Sequence, residues 1–424
     1  MSDIRFEGWL HRSGTGGVYQ DSAGNVGIAS TQPKTRLDIQ NGAFQIGPAG
    51  ICTATTVNTT NLVNATQLSH RNLIINGAMI VAQRGTSNSG SESSGYGTVD
   101  RFRVQYSGVD EAPTQAQVDV ASGTDPYTLG FKKAHKITNG NQTSGAGSSD
   151  YIYYEYYAEA QDIGNSGWNY TSSSSFVTLQ FWIKSSVAQN FYGSVRTRQG
   201  TSKIYPFETG SLSANTWTKI TKTIPGHSDL QFDNDTAKNF QLNIMAFLGT
   251  DSTDSGVSLN TWATYGGGTR TPDQTSTWYT TNDATLEITG VQVEVGSVAT
   301  PFEHLSYGDE LRRCQRYYYR IEHDDAYTDV TIGTAHQNGA YGVVTCQNPV
   351  VMRTKPSITV PTVTDAYSFY YAGTVNRSNT ISLSGNATKD RIELSHTNFS
   401  ATDGVAGLMR ITNATAYIEV TSEL

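Results

Sequence analysis

The segment 284–295 constrains the fold of this chain most, because apolar and polar residues alternate along it. Leu286 and Ile288 fall on one phase of the alternation, whereas Val291 and Val293 fall on the other. A period of two predicts a β-strand with one buried face. The phase changes at the Thr-Gly pair between the two sets, and one extra residue there predicts a β-bulge. We therefore expect a long strand that belongs to a packed sheet.

Further alternating segments predict that most of the chain is β-structure. Residues 177–184, 217–225 and 240–248 each place apolar side chains on one face, and Asn76-Gly77 is a hairpin-turn signal. Only 16% of the residues are charged, and there are 41 Gly and 24 Tyr, which is typical of short strands joined by polar turns. We predict an all-β chain whose main domain is an antiparallel, jelly-roll-like β-sandwich.

The domain organisation follows from shifts in composition along the 424 residues, a length that suits two or three domains. The predicted parts are a Gly-rich fibrous β segment at 1–48, a Thr/Asn-rich stalk or linker at 49–70, the β-sandwich at 71–303, a connecting helix at 304–320 and a smaller C-terminal β domain at 321–424. The first and last parts are poor in apolar residues, so we expect association between copies to stabilise them.

The connecting helix has an N-cap and an apolar seam. Ser306 is the predicted N-cap, and acidic residues follow in the first turn, where the helix dipole favours them. The seam has spacings of four, three and four, at Tyr307, Leu311, Cys314 and Tyr318. This seam could dock on the sandwich or meet its copies around a three-fold axis, and the sequence favours neither.

Charge and cysteine content exclude several classes of protein. A net charge of −8 and a pI near 5.5 argue against nucleic acid or an anionic membrane as the main partner. The most apolar run, 73–82, is too short to insert in a membrane. Cys52, Cys314 and Cys346 are odd in number and widely spaced, so we expect neither a disulfide framework nor a zinc site. Folding in a reducing cytoplasm is the simplest expectation, and we predict no cofactor.

Aromatic residues in polar loops are the candidate ligand contacts. Their ring faces can pack on the C–H faces of a pyranose, beside amides and carboxylates that bond its hydroxyls. The candidates are Trp168, Tyr170, Trp262, Tyr265, Trp278, Tyr367 and Tyr370. For each of them the alternative is packing at the edge of the core.

An acidic loop is the candidate metal site. Asp229, Asp233 and Asp235 crowd one loop and could hold Ca²⁺, but they lack the Gly and final Glu of an EF-hand loop. The alternative is an ordinary solvated loop, and we predict no bound metal.

Catalytic motifs are sparse. Glu155 and Glu159 fall on one face of the segment 151–159, and a glycan-cleaving enzyme needs two carboxylates close together. Carboxylates on strands are usually solvated, however, and neither HExxH nor GxSxG occurs. We predict that the chain is not an enzyme.

A series of motifs between residues 71 and 318 resembles bacteriophage virion fibre proteins that contain a β-sandwich similar to carbohydrate-binding modules. The motifs, in chain order, are RNLIING at 71–77, QRGT at 83–86, VDRF at 99–102, VTLQFWIKSS at 177–186, NTWTK at 215–219, IPG at 224–226, TGVQVEVG at 289–296 and RCQRYY at 313–318. Residues 21–28 and 35–39 are similar to an element common in phage fibres.

This resemblance implies a structural protein of the virion, made in the host cytoplasm, and most consistent with a homotrimeric tail fibre. Residues 1–48 would bind other virion proteins. The C-terminal β domain would contact a host surface glycan or receptor, with weak sites strengthened by multivalency. The alternatives are a capsid or neck decoration fibre without a receptor role, and a polysaccharide depolymerase.

Overall fold

The computed structural model describes residues 70–88, 94–323, 328–336, 341–396 and 404–424, together with short pieces before residue 55. The chain divides into two compact units, Met1–Ala65 and Thr66–Leu424. Most of the predicted linker, from 55 to 69, lies outside the described residues. The predicted domain boundaries inside the second unit stay a prediction.

The first unit contains short strands. They are β1 (Gly8–Leu10), β2 (Gly17–Gln20), β3 (Val26–Ile28), β4 (Leu37–Ile39), β5 (Phe44–Ile46) and β6 (Cys52–Ala54). β1, β2 and β3 pair antiparallel, β4 adds in parallel to β3, and β5 pairs with β6.

The sandwich forms the first part of the second unit. Its elements are β7 (Ser87–Asn88), β8 (Phe102–Ser107), β9 (Thr114–Asp119), α1 (Asp125–Thr128), β10 (Lys133–Thr138), β11 (Tyr151–Glu159), α2 (Ala160–Gly164), β12 (Phe176–Ser185), β13 (Asn190–Arg196), β14 (Lys203–Ser211), β15 (Thr218–Pro225), β16 (Lys238–Leu248), a 3-10 turn (Thr250–Ser252), β17 (Ala263–Thr264) and β18 (Thr285–Val295). The first sheet has the order β15-β12-β18-β10-β9-β7, and the second sheet has the order β17-β14-β13-β16-β11-β8. The predicted all-β class and antiparallel sandwich are confirmed, with 42% strand and 6% helix.

The predicted bulge lies in β18 and explains the phase change. Gln180 of β12 pairs with Gln292, but Trp182 pairs with Thr289, so β18 has one extra residue between them. Leu286 and Val293 are both fully buried in the core between the two sheets. The bulge therefore keeps both phases of the sequence pattern on the core side.

The rest of the second unit begins with a helix and continues as two further sheets. The elements are α3 (Tyr307–Gln315), β19 (Tyr318–Glu322), β20 (Thr328–His336), β21 (Tyr341–Gln347), β22 (Ser357–Thr359), β23 (Tyr367–Tyr371), β24 (Thr374–Ser378), β25 (Ser382–Leu383), β26 (Arg391–His396), β27 (Ala406–Ile411) and β28 (Tyr417–Thr421). One sheet has the order β19-β28-β22, and the other has the order β24-β23-β27-β20-β21-β26-β25. The helix is shorter than the predicted 304–320, because Tyr318 already pairs with Thr421 as a strand residue.

Helix α3 docks on the sandwich. Ser306 caps it as predicted, since its Oγ accepts a hydrogen bond from the Asp309 backbone nitrogen at 3.2 Å. Cys314 is fully buried and packs in a cluster with Ile75 and Val81. Tyr307, at the start of the predicted seam, is 57% exposed. Of the two predicted roles for the seam, the structure thus provides docking within one chain. Among the described residues, no helix is long and apolar enough to cross a membrane.

Candidate functional site

The outer face of the second sheet carries an array of polar and aromatic side chains. Along β11, Ile152, Tyr154 and Tyr156 point into the core, so by strand alternation Tyr153, Glu155 and Tyr157 lie on the opposite face. Strand pairing extends this face sideways into rows. The rows are Gln105–Tyr153–Met245–Tyr192, Arg103–Glu155–Asn243–Ser194 and Tyr157–Gln241–Arg196–Ile204.

A cavity of about 240 Å³ lies over these rows, and we call it the second-sheet cavity. Loop residues complete its wall beside the strands. It is lined by Arg103, Gln105, Tyr153, Glu155, Tyr157, Arg196, Arg198, Ile204, Lys238, Gln241, Asn243, Tyr265 and Arg270. Because most of these side chains come from paired strands, their positions are fixed by the sheet.

Glu155 is the centre of a hydrogen-bond network in the cavity floor. Its carboxylate accepts a hydrogen bond from Gln241 Nε2 at 2.6 Å and one from the Tyr157 hydroxyl at 2.9 Å. Arg103 Nε lies 3.2 Å from its other oxygen. Gln241 Nε2 also donates to Asn243 Oδ1 at 3.2 Å. These hydrogen bonds hold the side chains of the cavity floor in fixed orientations before any ligand binds.

The cavity wall combines cations with aromatic rings. The guanidinium of Arg196 lies 3.3 Å from the centroid of Tyr265, and Lys238 Nζ lies 5.0 Å from that of Tyr157. Tyr153 and Tyr265 are half-buried, so part of each residue remains accessible to solvent. Gln105 Nε2 and Arg270 Nε are buried and have no hydrogen-bond partner among the described residues. The cavity thus offers a ligand both apolar ring surface and unused donors.

The cations also perturb one another. Burial lowers the pKa of Lys238, and the positive charges of Arg198 and Arg103 lower it further. Burial likewise lowers the pKa of Arg196, with Arg198 and Arg270 acting in the same direction. These shifts are the expected result of placing like charges close together in a partly buried site.

Three of the ring candidates from the sequence are buried, which corrects their assignment as ligand contacts. Trp278 is fully buried and donates from Nε1 to the Thr285 carbonyl at 3.0 Å. Trp168 is 3% exposed, and Tyr367 is fully buried in the C-terminal core. Their rings pack against protein, because the loops that carry two of them fold back on the sandwich core.

The other ring candidates are half-buried, but the structure does not bring them all together. Tyr265 lines the second-sheet cavity. Trp262 donates from Nε1 to the Pro225 carbonyl at 2.7 Å, and Tyr170 packs against Phe232 with ring centroids 5.0 Å apart. Tyr370 lies on β23, in the C-terminal part of the chain.

The acidic loop does not assemble a cation site. Asp229 forms an ion pair with Lys203 Nζ at 2.7 Å. Asp233 accepts a hydrogen bond from Gln231, and Asp235 accepts one from Gln199. Each carboxylate thus has its own protein partner. In the described part of the chain, no group of three His, Cys, Asp or Glu residues is placed to hold a metal ion.

The two carboxylates weighed for catalysis have different environments. Glu155 belongs to the cavity floor, whereas Glu159 is fully buried against the C-terminal part of the chain. Burial alone would raise the pKa of Glu159, but hydrogen bonds from Arg316 and Tyr317 hold it below its ordinary value. Glu159 is therefore an ionised partner in a structural contact, which is the opposite of a proton donor.

Sequence reasoning missed Tyr153, Gln105 and Gln241 as site residues. The alternation in segment 151–159 was a usable signal, because it places Tyr153 and Tyr157 on the same face as Glu155. The pairing of β11 with β8 and β16, which brings in the glutamines, depends on tertiary contacts that the local pattern does not encode.

Three other cavities lie elsewhere on the second unit. One of about 470 Å³ lies beside α2 and α3, and its tyrosine, Tyr317, is buried. One of about 400 Å³ lies over the first sheet beside Trp182, which is also largely buried. A cavity of about 380 Å³ shares Ile204 with the second-sheet cavity, so it could extend that site.

Comparison with known proteins assigns no family to this chain. No family model and no curated protein matches the chain. Among solved structures, the enzymatically active domain of tailspike protein 4 from bacteriophage CBA120 is 10% identical over 53% of this chain and 21% of that one, with a TM-score of 0.28. The family 11 carbohydrate-binding module of Clostridium thermocellum, solved with a β-1,3-1,4-mixed-linked tetrasaccharide, is 11% identical over 52% of this chain and 97% of that one, with a TM-score of 0.22.

A third similar structure is the N-terminal cellulose-binding domain of β-1,4-glucanase C from Cellulomonas fimi. It is 10% identical over 52% of this chain and 99% of that one, with a TM-score of 0.24. The chain thus covers 21% of the tailspike domain but nearly all of the two smaller modules. At these identities and TM-scores, the likenesses name no ligand for this chain.

Proposed function

We propose that this chain is a glycan-binding protein and that the second-sheet cavity is its binding site. The observation that carries the proposal is that one cavity brings together two half-buried tyrosines, Tyr153 and Tyr265, and the amides of Gln105 and Gln241. A pyranose presents C–H groups that pack on such rings and hydroxyls that bond to such amides.

The same cavity supports binding without cleavage. Among the described residues that line it, Glu155 supplies the single carboxylate, and that carboxylate is occupied by Gln241, Tyr157 and Arg103. Hydrolysis of a glycosidic bond generally requires a pair of carboxylates on either side of the bond. We therefore propose a non-enzymatic protein. Incubation with bacterial surface polysaccharide should release no reducing ends, and release of reducing ends by the purified chain would overturn this proposal.

A glycan array with matched variants tests the binding site. Tyr265→Ala removes a cavity ring, whereas Tyr307→Ala removes an exposed ring outside the cavity. We expect the wild type and Tyr307→Ala to bind the same glycans, and Tyr265→Ala to bind them at least about tenfold more weakly, or about 1.4 kcal/mol. Equal binding by both variants would place the site elsewhere, and an array without any binding would reject the function.

The biological setting that we propose is host attachment by a homotrimeric bacteriophage fibre on the virion. The motifs between residues 71 and 318 support it, and so does the gain that a multivalent assembly gives a weak site. Residues 1–48 would hold the fibre to other virion proteins, and residues 321–424 would add a host contact. Light scattering of the full chain and of a chain without residues 1–70 tests the assembly: a trimeric mass for the full chain is expected, and a monomer at micromolar concentration would contradict it.

A further inference from the structure

The second-sheet cavity has a large excess of positive charge for a chain whose net charge is −8. Glu155 is the one acidic residue that lines it within the described part of the chain. The cations that line it are Arg103, Arg196, Arg198, Lys238 and Arg270.

Four of these cations lack an acidic partner. Arg103 pairs with Glu155, but in the described residues no carboxylate lies within ion-pair distance of the other four. Arg198 Nη1 donates to Gln241 Oε1 at 3.0 Å, and Arg196 Nε donates to Ser202 Oγ at 3.1 Å, so both bond to neutral oxygens. Arg270 Nε is buried without a hydrogen-bond partner among the same residues.

Two arginines outside the cavity, one buried and one half-buried, are paired with carboxylates. Arg101, which is fully buried, pairs with Glu423, and Arg316 pairs with Glu159 at 2.7 Å. The chain therefore neutralises these arginines where they have only a structural role. In the cavity, burial is the main cause that lowers the pKa values of Lys238 and Arg196, and neighbouring arginines lower them further. An anion bound among them would relieve that repulsion.

We infer that the glycan bound in the second-sheet cavity is acidic, with a carboxylate or sulfate of the sugar held between Arg196, Arg270 and Lys238. The inference rests on the proposed function and names the chemical class of its ligand. Guanidinium groups bind carboxylate and sulfate oxygens through paired charge-assisted hydrogen bonds. The sugar ring would then pack on Tyr153, or on the face of Tyr265 that Arg196 does not cover. Nucleic acid is the alternative polyanion, and the poly(dT) titration described below distinguishes it from an acidic glycan.

The first experiment compares two polymers with the same sugar backbone, one carrying free carboxylates and one in which methyl esterification removes their charge. Binding of the full chain to polygalacturonate is measured by calorimetry beside binding to its fully methyl-esterified form. We expect the acid form to bind at least about tenfold more tightly at low salt, and the difference to shrink as salt screens the charges. Equal affinity for the two forms would overturn the acidic assignment while leaving glycan binding intact. Binding to neither form, in a protein that binds neutral glycans on an array, would overturn it as well.

Matched lysine variants then locate the charge effect. Lys238→Gln removes a cavity cation, and Lys389→Gln removes an exposed lysine in the C-terminal part of the chain. We expect Lys238→Gln to weaken binding of polygalacturonate severalfold and to weaken binding of the methyl ester much less, with no effect of Lys389→Gln on either. Equal effects of the two variants would mean a diffuse charge effect and would contradict the inference.

A poly(dT) titration separates the acidic glycan from other polyanions. The inference predicts that poly(dT) binds more weakly than polygalacturonate at the same salt concentration. Binding of poly(dT) as tight as that of polygalacturonate, and equally sensitive to Lys238→Gln, would show a site for polyanions in general and would overturn the assignment to a sugar. If Tyr265→Ala loses all glycan binding while Lys238→Gln binds as well as the wild type, the proposed function is supported and the acidic ligand is rejected.

Discussion

His135 shows how far a single buried side chain can depart from its ordinary chemistry. It is fully buried on β10, with Nε2 at 3.2 Å from Thr98 Oγ1 and 3.3 Å from Gln115 Oε1. Burial lowers its pKa from 6.5 to about 3. The folded protein therefore keeps this imidazole neutral over a range in which an unfolded chain would protonate it.

This burial predicts a specific dependence of stability on pH. The contribution of His135 is complete above pH 6.5 and is lost as the pH falls toward 3, because only the unfolded chain binds the proton in between. The loss should reach up to about 5 kcal/mol at the acidic end. We expect His135→Gln to lose less stability than the wild type between pH 6.5 and 4, as measured by urea unfolding. Parallel pH profiles for the two proteins would contradict this account.

At the scale of single elements, the bulge in β18 shows what local sequence can predict. The pattern predicted the strand, its buried face and the position of the extra residue, because these depend on the alternation of neighbouring side chains. The sequence did not predict that Gly290 adopts a φ of 63° beside Phe131. That contact comes from another part of the chain, so no local pattern could reveal it.

Gly290→Ala should therefore destabilise the sandwich. A Cβ at this position would meet Phe131 Cζ at 2.7 Å and would be strained at that φ. We expect a loss of about 2–4 kcal/mol in the free energy of unfolding, measured with urea. Gly308→Ala, at an open position on α3, serves as the control and should change stability by less than about 1 kcal/mol. A neutral Gly290→Ala variant would rule out the close packing at the bulge.

The docking of α3 depends on a charged contact that the sequence analysis did not assign. Arg316 follows the helix and binds both carboxylate oxygens of Glu159, at 2.7 and 2.8 Å, while the Tyr317 hydroxyl donates to the same carboxylate at 2.6 Å. The predicted seam continued the helical spacing from Cys314 to Tyr318 and so left out Tyr317. The helix in fact ends at Gln315, before that spacing is complete. Where a helix ends depends here on strand pairing with β28, which is a distant part of the chain.

Replacing Arg316 with Met should leave Glu159 as a buried, unpaired charge. We expect a loss of about 3–5 kcal/mol of stability. In the double variant Glu159→Gln/Arg316→Met the unpaired charge is gone, so much of this loss should be recovered. Thermal or urea unfolding of the single and double variants gives the coupling between the two residues. Additive effects would mean that the pair contributes little beyond its separate contacts.

At the scale of the whole molecule, the second unit is held together across its length. The last residues of the chain return to the sandwich, where Glu423 pairs with the buried Arg101 and with Arg84. Arg353 donates to the backbone carbonyls of Ser422 and Glu423. The sequence predicted both β regions but not the contact between Arg101 and Glu423, because these two residues lie more than 300 positions apart in the chain.

Glu423→Gln should therefore destabilise the sandwich as well as the C-terminal strands. We expect a single unfolding transition in both proteins and a loss of about 3 kcal/mol in the variant, because Arg101 keeps its charge without a carboxylate. Glu322→Gln, which removes a partner of Arg320 that is largely exposed, is the control and should cost less than about 1 kcal/mol. Two separate transitions, with the variant affecting only one, would contradict a shared contact.

In the candidate site, too, the local sequence predicts some features, whereas contacts between distant parts of the chain decide others. The sequence placed aromatic rings in polar loops and suggested them as sugar contacts, but Trp168 and Trp278 lie in the core. Composition cannot distinguish a loop that packs on the core from one that faces solvent. Tyr265 is the candidate that reached the cavity, because its loop runs beside β14 and its backbone nitrogen bonds to Ser202.

The most direct test is a crystal structure of the full chain soaked with the oligosaccharide that binds best on the array. The account predicts electron density for the sugar in the second-sheet cavity, with a ring packed on Tyr153 or Tyr265 and a hydroxyl bonded to Gln105 or Gln241. Sugar density at another surface, such as the cavity beside Trp182, with the second-sheet cavity filled by solvent alone, would contradict it.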